Sequence, residues 1–437
     1  MGVGYGLVSI IAVLTLIGIR MPIGVALGIV SLAGFTTLRG FEVAIGVAKE
    51  TPFELAANWG LSAIPMFILM GSIAHHSGLS EALFNAARLW FGRLPGGLAV
   101  ATNFASAGFA AASGSSVATA ATMARLAIPE MLRAGYDKGL ATGVVASAGT
   151  LGALIPPSIM FVIYGVFAEV SITKLLIAGV LPGLLTAAVY ALMIITRCSI
   201  NPKLAPKPPD SGHAEARRER WRALLPIWPL LVLISGMIGG LYAGWFTPTE
   251  AGAAGALLAC IVAGAQGRLN LAVFRTSLVE AVTTTASLFF VAYGAIMYTK
   301  FLALAGVPVY MGNLIGDWAL DPILLLVGAS IMYVILGMFL DPLGILLLSL
   351  PIFLPMFEAV GLDPIWTGVL IVKYIEIGLL TPPVGFNVYV VKGVVGNSIP
   401  LETMFKGVGW FLACEVVIMV LLISFPEISL YLPNSMN

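Results

Sequence analysis

Long apolar stretches recur along almost the whole chain, and they constrain its fold more than any other feature. Each is close to the 18 or more residues, about 30 Å of helix, that cross a lipid bilayer. Inside a bilayer every backbone N–H and C=O group needs a partner from the chain itself, which a helix provides. With 59% hydrophobic and 10% charged residues, the chain carries far less charge than a soluble domain. The sequence therefore predicts an all-α polytopic membrane protein.

Hydropathy separates simple spans from irregular regions. Two regions, about 97–134 and about 323–358, are too long and too interrupted for one span each, and they predict re-entrant helical hairpins. The amphipathic segment 78–94 is too short to span and is expected to lie along the interface. Simple candidate spans fall at 4–19, 22–38, 61–77, 139–168, 172–196, 224–243, 248–265, 281–299, 364–391 and 405–425.

The longest polar segment, 201–222, predicts the orientation in the membrane. Its sequence, NPKLAPKPPDSGHAEARRERWR, is rich in Lys, Arg and Pro, and such loops face the cytoplasm. Counting spans outward from this linker places most other basic residues on the same side, provided that each hairpin enters and leaves by one face. Both chain ends are then expected on the periplasmic side.

The two halves of the chain share landmarks at a constant spacing. Pro156 and Pro157 recur as Pro382 and Pro383, a shift of 226 positions, and IPEMLRAGYD matches LPMFEAVGLD at the same shift. The pattern predicts a first repeat over 1–200, with a hairpin at about 97–134 and a broken helix at 139–168. A second repeat, with a broken helix at 364–391, covers 223–437. An odd number of crossings per half inverts the second repeat, as in secondary transporters.

The proline pairs and hairpin tips are candidate functional sites. A proline pair breaks a span into half-helices whose ends offer free carbonyls and N–H groups to ions and carboxylates. The first tip, ASGSSVATAATM, is rich in hydroxyls, and the second, GMFLDPLG, holds a carboxylate at Asp341. Small residues also allow close helix packing, which is the structural alternative. Lys373 and Glu376, three residues apart, are expected either to pair structurally or to serve transport.

Three motifs together resemble the large membrane subunit of tripartite ATP-independent periplasmic (TRAP) transporters. They are the first hairpin and break (SGSSVATAATMARLAIPEMLRAGYDKGLATGVVASAGTLGALIPPSIMFVIYG), the second hairpin (LGMFLDPLGILLLSLPIFLPMFEAVGLD) and the second break (YIEIGLLTPPVGFNVYVVKG). The resemblance covers nearly the whole chain. It implies an elevator-type fold of the ion-transporter superfamily and a sodium-coupled importer of organic acids in a bacterial inner membrane. It also implies two partners, a small membrane subunit of four helices, expected as a separate chain, and a periplasmic solute-binding protein.

The resemblance also implies which residues bind the ions and the substrate. Sodium is expected where each hairpin tip meets its broken helix, and the substrate carboxylate between the two tips. The implied sodium ligands are Ser113, Gly114, Ser115, Gly149, Thr150, Gly337, Asp341, Glu376 and Gly378, many of them through main-chain carbonyls. The implied substrate contacts are Ser116, Thr119, Thr150, Thr381 and Asn387, and the helix breaks are Pro156, Pro157, Pro382 and Pro383.

Other functions remain as alternatives. An ion-coupled carboxylate transporter without a binding protein has the same sequence features. An intramembrane serine hydrolase would use the SGSS tip, but such an enzyme needs a base, and hydropathy places no histidine at membrane depth near it. A channel fits inverted hairpins less well than alternating access does. No phosphate-binding GxxxxGK[ST] loop is present, and the scattered basic residues exclude a nucleic-acid stripe. We expect no cofactor besides the coupling ion.

Overall fold

The computed structural model describes residues 2–206, 213–317 and 321–436 of the chain. All regular structure in these residues is helical, without a β-strand. Six of the helices are long and apolar enough to cross a membrane, and two bent pairs raise the number to as many as eight. The fold class predicted from the sequence is confirmed. Positions 207–212 of the predicted linker lie outside the described residues.

The first half of the chain forms twelve α-helices in the described residues. They are α1 (Gly2–Gly18), α2 (Ile23–Arg39), α3 (Phe41–Ala57), α4 (Ala63–His76), α5 (Leu79–Phe91), α6 (Gly97–Ser113), α7 (Ser116–Arg133), α8 (Lys138–Gly149), α9 (Leu151–Leu154), α10 (Ile159–Phe167), α11 (Ile172–Ala178) and α12 (Val180–Ile200). Helix α13 (His213–Leu224) then leads from the linker into the second half.

The second half forms ten α-helices in the described residues. It consists of α14 (Trp228–Tyr242), α15 (Pro248–Ala265), α16 (Leu271–Ala305), α17 (Val307–Asp317), α18 (Pro322–Gly337), α19 (Pro342–Ala359), α20 (Pro364–Gly378), α21 (Phe386–Val395), α22 (Leu401–Ser424) and α23 (Glu427–Asn434). Helices α7 and α19 begin 226 positions apart, and so do α8 and α20. The spacing of the proline pairs is therefore also the spacing of the helices.

Each half contains a helical hairpin whose tip is built by local sequence. In the first, Gly114 adopts a positive φ of 63°, which glycine tolerates without a steric cost. The Ser115 hydroxyl then accepts a hydrogen bond from the Ala118 N–H (3.4 Å) and caps α7. In the second hairpin Asp341 has this role and accepts from the Gly344 N–H (3.1 Å). Serine and aspartate at equivalent tips therefore act as helix N-caps.

The broken helices lie against these tips. The first break bends the chain by 42° between Lys138–Leu154 and Ile159–Phe167, because the two prolines lack the N–H groups that would continue the helix. The Ser158 hydroxyl donates to the freed Ala153 carbonyl (2.5 Å). The first hairpin joins the break directly, since the Ile159 N–H donates to the Gly114 carbonyl (3.3 Å). A hairpin tip and a helix break thus form one unit.

Several helices differ from the hydropathy expectation. Helix α3 is absent from that expectation, because its four charged residues lower its hydropathy, and it meets the α4 segment at a bend of 58°. Helix α16 begins at Leu271 rather than at 281. The charged residues Arg275 and Glu280 lower the hydropathy of its first turns below that of a span. The segment 78–94, predicted to lie along the interface, forms the helix α5, and α17 begins 228 positions after α5 in the second half.

Candidate functional site

A cavity of about 460 Å³ brings the two hairpin tips together, a volume that suits a small organic ligand. Residues 113–117 of the first tip and 341–343 of the second contribute to its wall. Three helices close it with residues at helical spacing. The wall residues are Ile68, Gly71, Ser72 and His75 of α4, Ala118, Ala121, Thr122 and Arg125 of α7, and Glu280, Thr284 and Leu288 of α16.

The first tip is a network of hydroxyl groups. Thr119 Oγ1 lies 2.8 Å from Ser113 Oγ and donates to the Ser115 carbonyl at 2.8 Å. Ser113, Ser116 and Thr119 are buried, whereas Ser115 is partly exposed to the cavity. The structure therefore brings together the predicted residues Ser113, Gly114, Ser115, Ser116 and Thr119.

Gly149 and Thr150 lie behind this tip. Gly149 packs on α7, since a Cβ there would stand 2.7 Å from the Ala120 methyl and 3.2 Å from the Ser116 carbonyl oxygen. Thr150 is fully buried, and its hydroxyl donates to the Ser147 carbonyl at 2.6 Å. The Thr150 side chain does not belong to the cavity wall among the described residues.

The second tip meets its broken helix through two glycines. A Cβ on Gly337 would stand 2.6 Å from the Gly378 Cα atom, and the reverse distance is the same. Only glycine at both positions allows α18 and α20 to approach each other this closely. Asp341 lines the cavity and is partly exposed. The predicted residues Gly337, Asp341 and Gly378 are therefore at or beside one contact between tip and break.

Glu376 is the most unusual side chain of the site. It is 1% exposed, and neither carboxylate oxygen has a hydrogen-bond partner among the described residues. The Ser116 hydroxyl of the first hairpin faces it but is not in hydrogen-bond geometry. Burial of a carboxylate without a partner is costly. A residue of the second repeat thus faces the tip of the first.

Of the two alternatives for Lys373 and Glu376, the ion pair between them is not formed. Lys373 Nζ instead lies 2.7 and 2.6 Å from the two oxygens of Glu415 on α22, and it also donates to Thr186 on α12 (3.1 Å). The Tyr190 hydroxyl donates to the same Glu415 carboxylate. A spacing of three residues on one helix brings Lys373 and Glu376 close together. The ammonium group nevertheless pairs with Glu415, a carboxylate from another helix.

The remaining predicted residues, Thr381, Asn387 and the two proline pairs, do not line the cavity. Asn387 is fully buried, and its side-chain oxygen and nitrogen both lack partners among the described residues. The Thr381 hydroxyl donates to the Ile377 carbonyl at 2.7 Å, and the neighbouring Phe386 reaches the cavity wall. Pro156 and Pro157 are buried, while Pro382 and Pro383 are exposed. The two proline pairs therefore lie in different surroundings.

The polar residues on the far walls of the cavity are not predicted by the sequence. His75 lines it, and its Nδ1 atom lies 3.2 Å from Thr122 Oγ1. His75 thus lies in the wall of the same cavity as the serine-rich tip, which hydropathy does not predict. Among the described residues His75 makes no hydrogen bond to a serine of the tip, so a hydrolase pair is not formed. His76 Nε2 lies 3.0 Å from Glu280. The position of a residue within a predicted span indicates its depth in the membrane, but it does not indicate which helix packs against that residue.

Gly152, which the sequence analysis does not single out, packs closely against the first tip. A Cβ there would stand 2.6 Å from the Ser115 carbonyl carbon and 2.8 Å from Thr119 Oγ1. We expect Gly152→Ala to displace the first tip and to lower the transport rate at least about tenfold, because misplacements near 1 Å are that costly at functional sites. Gly393→Ala on α21 has open space around it and is the matched control. Uptake assays of both variants, normalised to protein in the membrane, check the expectation; equal rates would contradict it.

Comparisons with known proteins identify the family of this chain. The family model described as "Tripartite ATP-independent periplasmic transporter, DctM component" matches residues 10–428. The C4-dicarboxylate TRAP transporter large permease protein DctM of Pseudomonas aeruginosa is 37% identical over 87% of this chain and 88% of the relative. The sialic acid TRAP transporter large permease protein SiaM of Vibrio cholerae is 33% identical over 86% and 87%.

A solved structure shares the fold at low sequence identity. The YdaH transporter of Alcanivorax borkumensis, described as having an unusual topology, superposes with a TM-score of 0.65 over 90% of both chains at 14% identity. That likeness concerns the fold alone. The family model and the relatives both cover most of the chain, and the resemblance seen in the hairpin and proline motifs is confirmed. The chain belongs to the DctM family, the large permease component of tripartite ATP-independent periplasmic transporters.

Proposed function

We propose that this chain is the large transmembrane subunit of a sodium-coupled transporter that imports an organic acid with the help of a binding protein. The observation that carries the proposal is the unpartnered, buried carboxylate of Glu376. Lys373 is the buried cation beside the buried carboxylates of Glu376 and Glu415, and its ammonium group pairs with Glu415. The three groups leave one negative charge inside the membrane when all are ionised. A bound monovalent cation would balance it.

Freed backbone groups support a cation at the same place. Broken helices present carbonyl oxygens that can coordinate sodium, and Gly337 and Gly378 bring the backbones of α18 and α20 into contact two residues along the chain from Glu376. Asp341 adds a second carboxylate at the cavity wall. At the first tip the Ser113 and Ser115 oxygens, with the Gly114 carbonyl, form the corresponding set. These residues are the proposed sodium ligands, many of them through the main chain.

The proposed substrate is a carboxylate held between the two tips. The tip of the first hairpin is a helix N-terminus with a serine cap, and such termini attract anions. Ser116 and Thr119 supply hydroxyl donors there, and a sodium ion nearby would reduce the repulsion from Asp341. The names of the relatives, a C4-dicarboxylate permease and a sialic acid permease, also favour an acidic substrate.

The proposed mechanism is an elevator movement of the hairpins and broken helices past the remaining helices. Helix α4 touches the first tip through Gly71, where a Cβ would stand 2.9 Å from the Ser113 Cα atom. Because glycine has no side chain, this contact presents a smooth surface along which the first tip can slide past α4. The proposed setting is the bacterial inner membrane, with both termini in the periplasm, a small four-helix membrane subunit and a periplasmic solute-binding protein as partners.

Uptake into proteoliposomes tests this function. The chain is reconstituted with its small subunit, and radiolabelled succinate or N-acetylneuraminate is offered with the cognate binding protein. We expect uptake of one acid when an inward sodium gradient is present and a loss of at least about tenfold when potassium replaces sodium. Equal uptake in potassium would contradict sodium coupling, and full uptake without the binding protein would favour a transporter that needs none. Uptake of neither acid in sodium would contradict the proposed substrate class.

A further inference from the structure

Arg125 is an unpaired cation in the wall of the candidate site. It lies on α7, is exposed, and forms no hydrogen bond or ion pair among the residues that the structure describes. The carboxylate of Glu280, on the opposite wall, instead accepts from Ser72 (2.5 Å) and lies 3.0 Å from His76 Nε2. The guanidinium group therefore has its five donors available to a ligand.

Arg125 lies in the same cavity wall as the hairpin tip, on one face of α7. Ser115, Ala118, Ala121, Thr122 and Arg125 all contribute to the cavity wall, so they form one stripe at helical spacing. Ten residues separate Ser115 from Arg125, roughly 15 Å along the helix axis. Helical side chains lean toward the N-terminus, which in α7 is the tip. The two alanines leave open space between the serine-rich tip and the guanidinium group.

The cavity continues from Arg125 into a second space. A vestibule of about 640 Å³ is lined by His75, His76, Arg125, Arg275, Thr276, Val279, Glu280, Thr283 and Thr284. Arg125, His75, Glu280 and Thr284 belong to both walls. Arg125 therefore stands at the end of the site that opens to the vestibule, while the hairpin tips form its other end.

We propose that Arg125 binds the second carboxylate of a dicarboxylate substrate whose first carboxylate is held at the hairpin tips. The inference rests on the proposed function and narrows its substrate class. A guanidinium group binds a carboxylate through two parallel hydrogen bonds, and between the tip and Arg125 the wall on α7 carries only the small side chains of Ala118, Ala121 and Thr122. An acid with charges at both ends would bridge the two anion-binding points, whereas an acid with one carboxylate would leave Arg125 unused.

Succinate and its monoamide, succinamate, separate this role from a general effect of charge. In the wild-type protein, reconstituted with its partners, we expect succinamate to compete with labelled succinate at least about tenfold more weakly than unlabelled succinate does. Arg125→Gln should raise the half-saturating succinate concentration roughly 10- to 100-fold and make the two competitors nearly equal. Arg125→Lys should be intermediate, since lysine lacks the planar fork.

Arg133→Gln is the matched control, because Arg133 lies on the same helix, is exposed and pairs with Glu130 at 2.8 Å on the surface. It should behave as the wild-type protein. If the preference for succinate over succinamate persisted in Arg125→Gln, the inference would be overturned. Wild-type uptake of N-acetylneuraminate but not succinate would overturn it while supporting the proposed function. Wild-type uptake of neither acid would remove the proposed function and the inference together.

Discussion

Glu376→Gln should raise the sodium concentration that half-saturates uptake roughly 100-fold or abolish sodium-dependent uptake. The substitution keeps the shape of the side chain and removes its charge. In the wild-type protein this carboxylate is 1% exposed and has no hydrogen-bond partner among the described residues. A bound cation would therefore gain most of its electrostatic stabilisation there, and an uncompensated buried charge is worth about 3–5 kcal/mol, more than a factor of 100 in affinity.

The matched control is Glu402→Gln, an exposed carboxylate that pairs with Lys406 at 2.7 Å. Its removal should leave the sodium dependence unchanged, since exposed pairs contribute little. Initial rates of uptake are measured across a sodium titration for both variants. If Glu376→Gln had the sodium dependence of the wild-type protein, the buried carboxylate would not be part of the coupling site, and its burial would need another explanation.

Lys373→Met should destabilise the protein by about 3–5 kcal/mol, because it leaves the Glu415 carboxylate buried without its cation. Lys373 is fully buried and Glu415 is 1% exposed. Replacing both partners, in Lys373→Met with Glu415→Gln, should recover most of the lost stability, since no unpaired charge remains. The amide oxygen that this second substitution introduces could still accept the hydrogen bond that Tyr190 donates to Glu415 in the wild-type protein.

Thermal unfolding of the purified variants in one detergent measures this difference. The single variant should unfold at a clearly lower temperature than the double variant. Coincident transitions for the single and double variants would show that the cost comes from lost packing rather than from an unpaired charge. Because Glu376 is close to the same cluster, the double variant also reveals whether sodium dependence survives when the ion pair is absent.

The repeat and its breaks could be predicted because backbone requirements leave a strong local signal. Two proline pairs at one spacing and a glycine-serine tip between short apolar segments are enough to place both hairpins and both broken helices. The same landmarks carry the resemblance to the family. Helix α3 and the first turns of α16 escape prediction, since charged residues on one face lower the average hydropathy of a helix that is otherwise apolar.

The walls of the site could not be predicted, because they depend on which helices lie opposite each other. Lys373 pairs with a residue 42 positions away, and Tyr190 reaches the same carboxylate from 225 positions away. His75 and Arg125 look like ordinary residues near span ends until α4, α7 and α16 are placed around one cavity. Hydropathy and spacing describe a helix by itself and contain no information on its partners.

Simultaneous measurement of sodium and substrate flux tests the central claim most directly. Proteoliposomes that contain the chain and its small subunit receive ²²Na⁺, labelled succinate and the cognate binding protein. We expect sodium to enter with succinate in a constant ratio, and we expect sodium entry to fall to the background of empty vesicles when either succinate is omitted or Glu376→Gln is used. Succinate entry without accompanying sodium would contradict the account.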